Sequence, residues 1–339
     1  MLDNLRQKLL ISLGLGIVVM LALSIYGDLP AMARVFGTFR WQYLPAILAL
    51  TFGNYGLRFV KWQYYLGLIG ASRIRRRTSL MVFFSGLSMV VTPGKVGEWL
   101  KSFLLKEANG TPISASAPIV IAERLTDGMA MLLLATVGLV VYAYAWQALL
   151  IIFLASVAVL IVVQWRGLAL RLLSLGERLP LLSRRAGSLH RFYESSYRLL
   201  SARSLLLAVG IGLVSWFGEC LAFFLVLVGL GLQPSYELLV QATFILAAST
   251  VIASVAFVPG GLAVAEGSIA GTLLLLAVAR EPAVAAAATL IIRLCTLWFG
   301  VAVGVAALFA FSREMKSLAL LQGDGHSIPL SETKNHEAG

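Results

Sequence analysis

Long apolar runs alternate with short polar stretches along most of the 339-residue chain. A membrane helix needs about 20 apolar residues to cross a hydrocarbon core that is about 30 Å thick. Six runs have this length, and they cover residues 9–27, 43–69, 113–142, 147–165, 204–230 and 283–311. The strict alternation of polar and apolar positions that indicates half-buried strands is absent. The pattern therefore predicts an all-α integral membrane protein with about six spanning helices.

Two further apolar segments, residues 79–106 and 237–279, are each interrupted by a Pro-Gly turn. The turns consist of Pro93-Gly94 and of Pro259-Gly260-Gly261. The apolar stretch before the first turn is too short to span a bilayer, and after the turn the chain runs back to Lys101 and Lys106. We therefore predict that each segment forms a re-entrant helical hairpin.

The two interrupted segments belong to an internal repeat. Each turn is followed by a carboxylate and then by an arginine: Arg124 comes 26 residues after Glu98, and Arg293 comes 27 residues after Glu266. An aromatic-Gly step precedes each turn, with Gly53 40 residues before Pro93 and Gly218 41 residues before Pro259. Repeats with interrupted membrane helices are typical of transporters, whose binding site lies where the two copies meet.

The basic residues predict the orientation of the chain in the membrane. Arg73, Arg75, Arg76 and Arg77 crowd one loop, and eight arginines lie between residues 166 and 203. Because cytoplasmic loops are rich in lysine and arginine, we place both regions and both termini in the cytoplasm. Repeat one (about 43–145) and repeat two (about 204–311) then have inverted topology, and their hairpins open from opposite faces. We expect the 166–203 linker to form an amphipathic surface helix and residues 313–339 a disordered tail.

The composition changes this picture little. Hydrophobic residues make up 59% of the chain, charged residues 13%, and the mean hydropathy is +0.89, far from a soluble domain. The net charge of +11 lies in the short loops, so we assign it to topology and to anionic lipid headgroups and expect no nucleic acid partner. Two cysteines and three histidines have no metal-ligand spacing, and we expect neither a metal nor a cofactor.

Charged residues inside the apolar segments are the candidate functional residues. They are Arg58, Lys61, Glu98, Glu123, Arg124, Asp127, Glu219, Glu266 and Arg293. Each would cost roughly 2.5 to 3.5 kcal/mol at the centre of a membrane helix, so they must pair or line a wet cavity. The repeat predicts Glu98 with Arg124 and Glu266 with Arg293. Structural salt bridges and a polar pathway both remain open, and Arg58 and Lys61 have snorkelling to the headgroups as a further alternative.

The Pro-Gly turns are candidate anion sites. A helix that begins directly after each turn would direct free backbone N–H groups and the positive end of its dipole into the membrane interior. Lys95 strengthens this charge in the first copy, and Gly261 takes its place in the second. A phosphate group suits such a site, although a plain hairpin turn is the alternative.

Four stretches resemble one known family. They are TPGKVGEWLKSFLL (92–105), ERLTDG (123–128), FVPGGLAVAEG (257–267) and IIRLCTLWFGVAVG (291–304), and they look like the transmembrane flippase domain of lysylphosphatidylglycerol synthases. The resemblance implies a protein of the bacterial cytoplasmic membrane with two inverted repeats that moves a lipid between leaflets. It carries over as site residues Pro93, Gly94, Glu98, Glu123, Arg124, Asp127, Pro259, Gly260, Glu266 and Arg293. About 27 residues follow the last helix, so we expect no aminoacyltransferase domain.

We therefore expect a flippase-type transporter, not an enzyme, that acts on membrane phospholipids or lipid-linked glycans. No Walker motif is present to bind a nucleotide. The alternatives are a membrane-embedded transferase that uses Glu123 and Asp127, and a non-catalytic partner of an envelope-lipid enzyme. A homodimer is also compatible with the sequence.

Overall fold

The computed structural model describes residues 28–91, 99–139, 146–167, 186–256, 258 and 261–323, together with the isolated positions 14 and 18. These residues form helices and connecting turns, with no strand among them. The expected first helix (9–27) and the first Pro-Gly turn lie outside the described residues. Three of the described helical segments are long and apolar enough to cross a membrane, namely Ala202–Gly229, Tyr236–Val255 and Pro282–Met315.

The helices of repeat one are α2 to α5, preceded by a short helix α1. Their bounds are α1 Leu29–Thr38, α2 Leu44–Leu68, α3 Arg76–Ser85, α4 Leu100–Asn109 and α5 Ile113–Leu139. Proline in the first turn favours the start of α1 and of α2, because its ring presets a helical φ. N–H groups in the first turn have no acceptor within the helix, so the N–H that proline lacks is not missed there. A 3₁₀ segment, Gly86–Met89, extends α3 towards the first turn.

Two helices, α6 Trp146–Gln164 and α7 Ala186–Leu199, connect the repeats. Helix α7 is the described part of the linker for which we expected an amphipathic helix. It packs against α5, and its Arg191 side chain donates a hydrogen bond to Ser114. The remainder of the linker, residues 168–185, lies outside the described residues.

The helices of repeat two run from α8 to α12. They are α8 Ala202–Gly229, α9 Tyr236–Val255, α10 Val264–Leu275, α11 Pro282–Arg293 and α12 Phe299–Gly323, and the π-helical segment Leu294–Trp298 joins α11 to α12. Helix α12 ends at Gly323, so residues 313–323 continue the last helix. We had expected a disordered tail from residue 313 onwards. Residues 324–339 lie outside the described residues.

Corresponding helices of the two repeats pack in a reciprocal way. Helix α2 packs against α8, its counterpart, and the two are antiparallel, since the Arg40 N–H just before α2 donates to the carbonyl of Gly229 at the end of α8. The α3 arm of the first interrupted segment packs against α12, and the α9 arm of the second packs against α5. The last helix of each predicted repeat therefore packs against the first arm of the other repeat's interrupted segment.

Candidate functional site

A cavity of about 150 Å³ lies where the two repeats meet. It is lined by Tyr55, Arg58, Leu87, Val90 and Arg124 of repeat one and by Trp216, Glu219, Leu246, Thr250, Ala265, Ile269, Arg293, Thr296, Leu297 and Gly300 of repeat two. Three of these residues are arginines and one is a carboxylate. The lining thus combines a cluster of positive charge with apolar walls.

The arginines of the repeat, Arg124 and Arg293, both line this cavity. They come from helices that occupy the same place in the two repeats, α5 and α11. Because the spacing that relates them was visible in the sequence, their convergence on one cavity is the observation that best connects the repeat with a site.

The pair expected between Glu266 and Arg293 is present, with 2.6 Å between Arg293 Nε and Glu266 Oε1. Glu266 lies in the first turn of α10, where the helix dipole favours a carboxylate, and it is buried. Gly261 has a φ of +66°, a left-handed conformation that glycine adopts without strain. The second interrupted segment therefore directs one carboxylate to the edge of the cavity.

Arg58 and Lys61 both contact Asp127 of α5. Lys61 is fully buried, and its ammonium group donates a hydrogen bond to Asp127 Oδ1. Arg58 Nε lies 3.7 Å from Asp127 Oδ2, and its guanidinium group lies over the Trp216 ring at 5.6 Å from the centroid. Both side chains are thus held inside the protein, which is a correction to the alternative that they snorkel to the headgroups.

Glu123 pairs with Lys101 of α4, a residue that we had not expected in the site. The Lys101 ammonium group also lies over the ring of Trp62, at 4.9 Å from the centroid. The sequence contains a signal for this burial, because Lys101 lies on the same face of the helix as the apolar Leu104 and Leu105. Lys106 lies on the other face and is exposed. Sequence reasoning missed it by treating both lysines as flanking charges.

Glu219 is buried in the middle of α8 and lines the cavity. Its electrostatic neighbours include Arg58 and Arg293, and the Asn54 amide of α2 lies beside it. The Ser215 hydroxyl, one turn earlier on α8, donates a hydrogen bond to Asn54 Oδ1 at 2.8 Å. Polar groups of α2 and α8 therefore meet at the centre of the antiparallel pair.

Tyr55 and the π-helical segment form another part of the cavity wall. The Tyr55 hydroxyl donates to the backbone carbonyl of Thr296, and its ring stacks against Phe299. A side chain on Gly300 would collide with the Tyr55 hydroxyl. Sequence reasoning missed Tyr55 and Trp216, because aromatic residues in apolar helices carry no signal that separates cavity lining from packing.

Six of the predicted site residues lie outside the described part of the chain: Pro93, Gly94, Lys95, Glu98, Pro259 and Gly260. The Glu98–Arg124 pair and the anion sites at the two turns therefore stay predictions. Of the others, Arg58, Arg124, Glu219 and Arg293 line the cavity. Asp127 and Glu266 pair with two of these arginines, Lys61 pairs with Asp127, Glu123 pairs with Lys101, and Gly261 lies in the turn before α10.

Comparison with known proteins gives one family. The family model described as the lysylphosphatidylglycerol synthase TM region matches residues 8–304. Two UPF0104 membrane proteins of Methanothermobacter thermautotrophicus are similar to the chain. One is 26% identical over 314 residues, covering 86% of this chain and 90% of the relative, and the other is 28% identical over 240 residues, covering 62% and 68%. No solved structure matches. Because the family model covers most of the chain, the chain belongs to the membrane-protein family defined by the lysylphosphatidylglycerol synthase TM region.

Proposed function

We propose that this protein moves a lipid between the leaflets of the membrane, passing the polar headgroup through the central cavity while the hydrocarbon tails stay in the bilayer. The lipid is a phospholipid or a lipid-linked glycan. The observation that carries the proposal is the convergence of Arg124 and Arg293, equivalent residues of the two repeats, on one cavity. A phosphate group is a suitable partner for such a cluster, because guanidinium groups bind its oxygens in pairs.

The inverted repeat explains how one cavity would serve both leaflets. The antiparallel packing of α2 against α8 and the reciprocal packing of the interrupted segments support oppositely oriented repeats with re-entrant hairpins. Two copies of one unit in opposite orientation have an inward-open and an outward-open arrangement of similar energy, which alternating access requires. We include in the proposal the six spans, the bacterial cytoplasmic membrane and cytoplasmic positions for both termini.

The charges of the site favour passage of a headgroup over a purely structural role. Buried ion pairs add little stability in comparison with apolar packing, so a site with several of them needs another reason. Asp127, Glu219 and Glu266 compensate the arginines and lysines around the cavity, which keeps the empty site from carrying a large uncompensated charge.

The same contacts disfavour the alternative that the protein is a membrane-embedded transferase. A transferase that used Glu123 and Asp127 for acid–base chemistry would need carboxylates that can exchange protons with a substrate. Each of them is engaged by a buried lysine, Lys101 or Lys61, and neither lines the cavity. We therefore propose transport without a covalent step.

Purified protein in liposomes that contain a phospholipid with a fluorescent headgroup tests the proposal. Dithionite quenches only labels in the outer leaflet, so transbilayer movement appears as loss of the protected fraction. We expect Arg124→Gln and the double variant Glu266→Gln/Arg293→Gln to stop this loss. The double variant removes both members of a buried pair and leaves no isolated charge.

Arg280→Gln is the matched control, because Arg280 is exposed in the turn before α11 and should not affect movement. Thermal unfolding measurements establish that the cavity variants are folded. If such folded variants moved the lipid as fast as the wild type, the proposed pathway would be contradicted. A chemically altered lipid, detected by mass spectrometry, would indicate the transferase.

A further inference from the structure

A groove on the outer face of α12 is separate from the central cavity. Its wider part has a volume of about 570 Å³ and is lined by Arg75, Arg77, Ala310, Arg313, Glu314 and Ser317. A smaller part of about 420 Å³ continues along the helix and is lined by Ala306, Phe309, Ala310 and Arg313. The groove thus has a basic end, at the start of α3, and an apolar end on α12.

The basic end has more positive than negative charge. Glu314 is its one carboxylate, and its oxygens are already engaged, since Oε1 accepts a hydrogen bond of 2.9 Å from Thr78 and Oε2 lies 3.6 Å from Arg77 Nε. Within the described residues, neither Arg75 nor Arg313 has a carboxylate partner. A ligand with negative charge would complete the balance.

The apolar end is an exposed helix face. Phe309, Ala310 and Arg313 lie three, four and seven residues after Ala306, so all four share one side of α12. Phe309 is 68% exposed, although it is a large aromatic residue. In a membrane protein this face lies against hydrocarbon, and Arg313 is where it becomes polar.

We propose that the groove binds a phospholipid with a net negative headgroup, with its phosphate between Arg75, Arg77 and Arg313 and one acyl chain along Ala306, Phe309 and Ala310. A lipid matches both parts of the groove, whereas a soluble phosphate would use only the basic end. The site shares no residue with the central cavity, so the proposal does not rest on transport.

Native mass spectrometry of the protein released from micelles with equal amounts of phosphatidylglycerol and phosphatidylcholine tests this site. The wild type should retain phosphatidylglycerol in preference. The variant Arg75→Gln/Arg77→Gln/Arg313→Gln should retain about a hundredfold less, because each arginine near the surface contributes to the attraction of an anionic lipid. The control Arg191→Gln/Arg198→Gln/Arg203→Gln removes the same charge from exposed positions outside the groove and should retain the lipid. An equal loss in the control would show unspecific attraction and overturn the proposal.

The variant Ala310→Trp tests the apolar part with all charges in place. The indole would occupy part of the apolar end, so phosphatidylglycerol retention should fall although the arginines are intact. Unchanged retention, or complete displacement by soluble glycerol phosphate, would mean that the groove recognises only the headgroup and would overturn lipid binding. Ala310 is exposed, so the substitution does not disturb the core.

Discussion

Two buried lysines, Lys61 and Lys101, hold the carboxylates of α5 in place. Their partners are Asp127 and Glu123, which lie one helical turn apart. Within the described residues, one oxygen of each carboxylate has no hydrogen-bond partner, so the lysines supply most of the compensation for burial. Since removing one member of a buried pair leaves an isolated charge in a medium of low dielectric constant, these lysines should matter more for stability than any surface charge.

We expect Lys101→Ala to destabilise the protein by roughly 3 to 5 kcal/mol, the usual cost of breaking a buried pair. Lys106→Ala, on the exposed side of the same helix, should change stability by less than about 0.5 kcal/mol. Thermal unfolding in detergent can be followed with a thiol-reactive dye, because Cys220 and Cys295 are both buried in the folded protein. Similar unfolding temperatures for the two variants would contradict the structural role of the Lys101–Glu123 pair.

The sequence predicts which charges are unusual better than it predicts their partners. The Glu266–Arg293 pair could be predicted, because a repeat relates it to a second candidate pair. Lys61 with Asp127 and Lys101 with Glu123 could not, since these contacts join helices whose relative rotation depends on packing. Lys101 also lies only two residues from Trp99, beside a break in the helical pattern, and flanking positions of this kind are ordinarily exposed.

At the scale of helices, apolar run length predicts the long segments well. Helix α2 spans Leu44–Leu68 where 43–69 was expected, and α8 spans Ala202–Gly229 where 204–230 was expected. Three elements differ from the prediction. Helix α9, which we expected to be one arm of a re-entrant hairpin, is long and apolar enough to cross a membrane. Helix α1 has only 10 residues, which is too short for the run length that predicts a membrane helix. Helix α12 continues beyond the predicted end of the apolar run to Gly323, because no helix-breaking residue follows that run before Gly323.

Close contact between α12 and the 3₁₀ segment after α3 depends on Gly304. A methyl group at this position would collide with the backbone nitrogen of Ser88, which cannot move aside as a flexible side chain would. We expect Gly304→Ala to destabilise the protein by roughly 1 to 3 kcal/mol, the usual cost of overpacking. The same unfolding assay measures this change.

Gly210→Ala in α8 is the matched control. Gly210 also lies inside a long apolar helix, but an added methyl group there meets nothing within 4 Å. Alanine is the better helix former by about 1 kcal/mol, so this variant should be as stable as the wild type or more stable. If Gly304→Ala were also as stable as the wild type or more stable, the close contact between α12 and the 3₁₀ segment Gly86–Met89 would be contradicted.

At the scale of the whole molecule, the orientation that the loop charges predict stays a prediction, and two contacts show which chain segments lie together. Arg77 and Glu314 come from segments assigned to the cytoplasm, and they lie next to each other. Arg40 and Gly229 come from segments assigned to the other side, and they share a hydrogen bond. The charge pattern and the packing are independent observations, because arginine counts in loops do not determine which helix ends meet.

Labelling of single added cysteines tests this orientation directly. Ser317→Cys, near the end of α12, should react with an impermeant maleimide only after the cytoplasmic face is opened, whereas Gln233→Cys, in the turn after α8, should react in intact cells. Both positions are exposed, and the native cysteines are buried, so the wild type provides the background. Reaction of both variants from the same side would require α8 and α12 to end on one face. It would contradict the inverted orientation that the proposed alternating access requires.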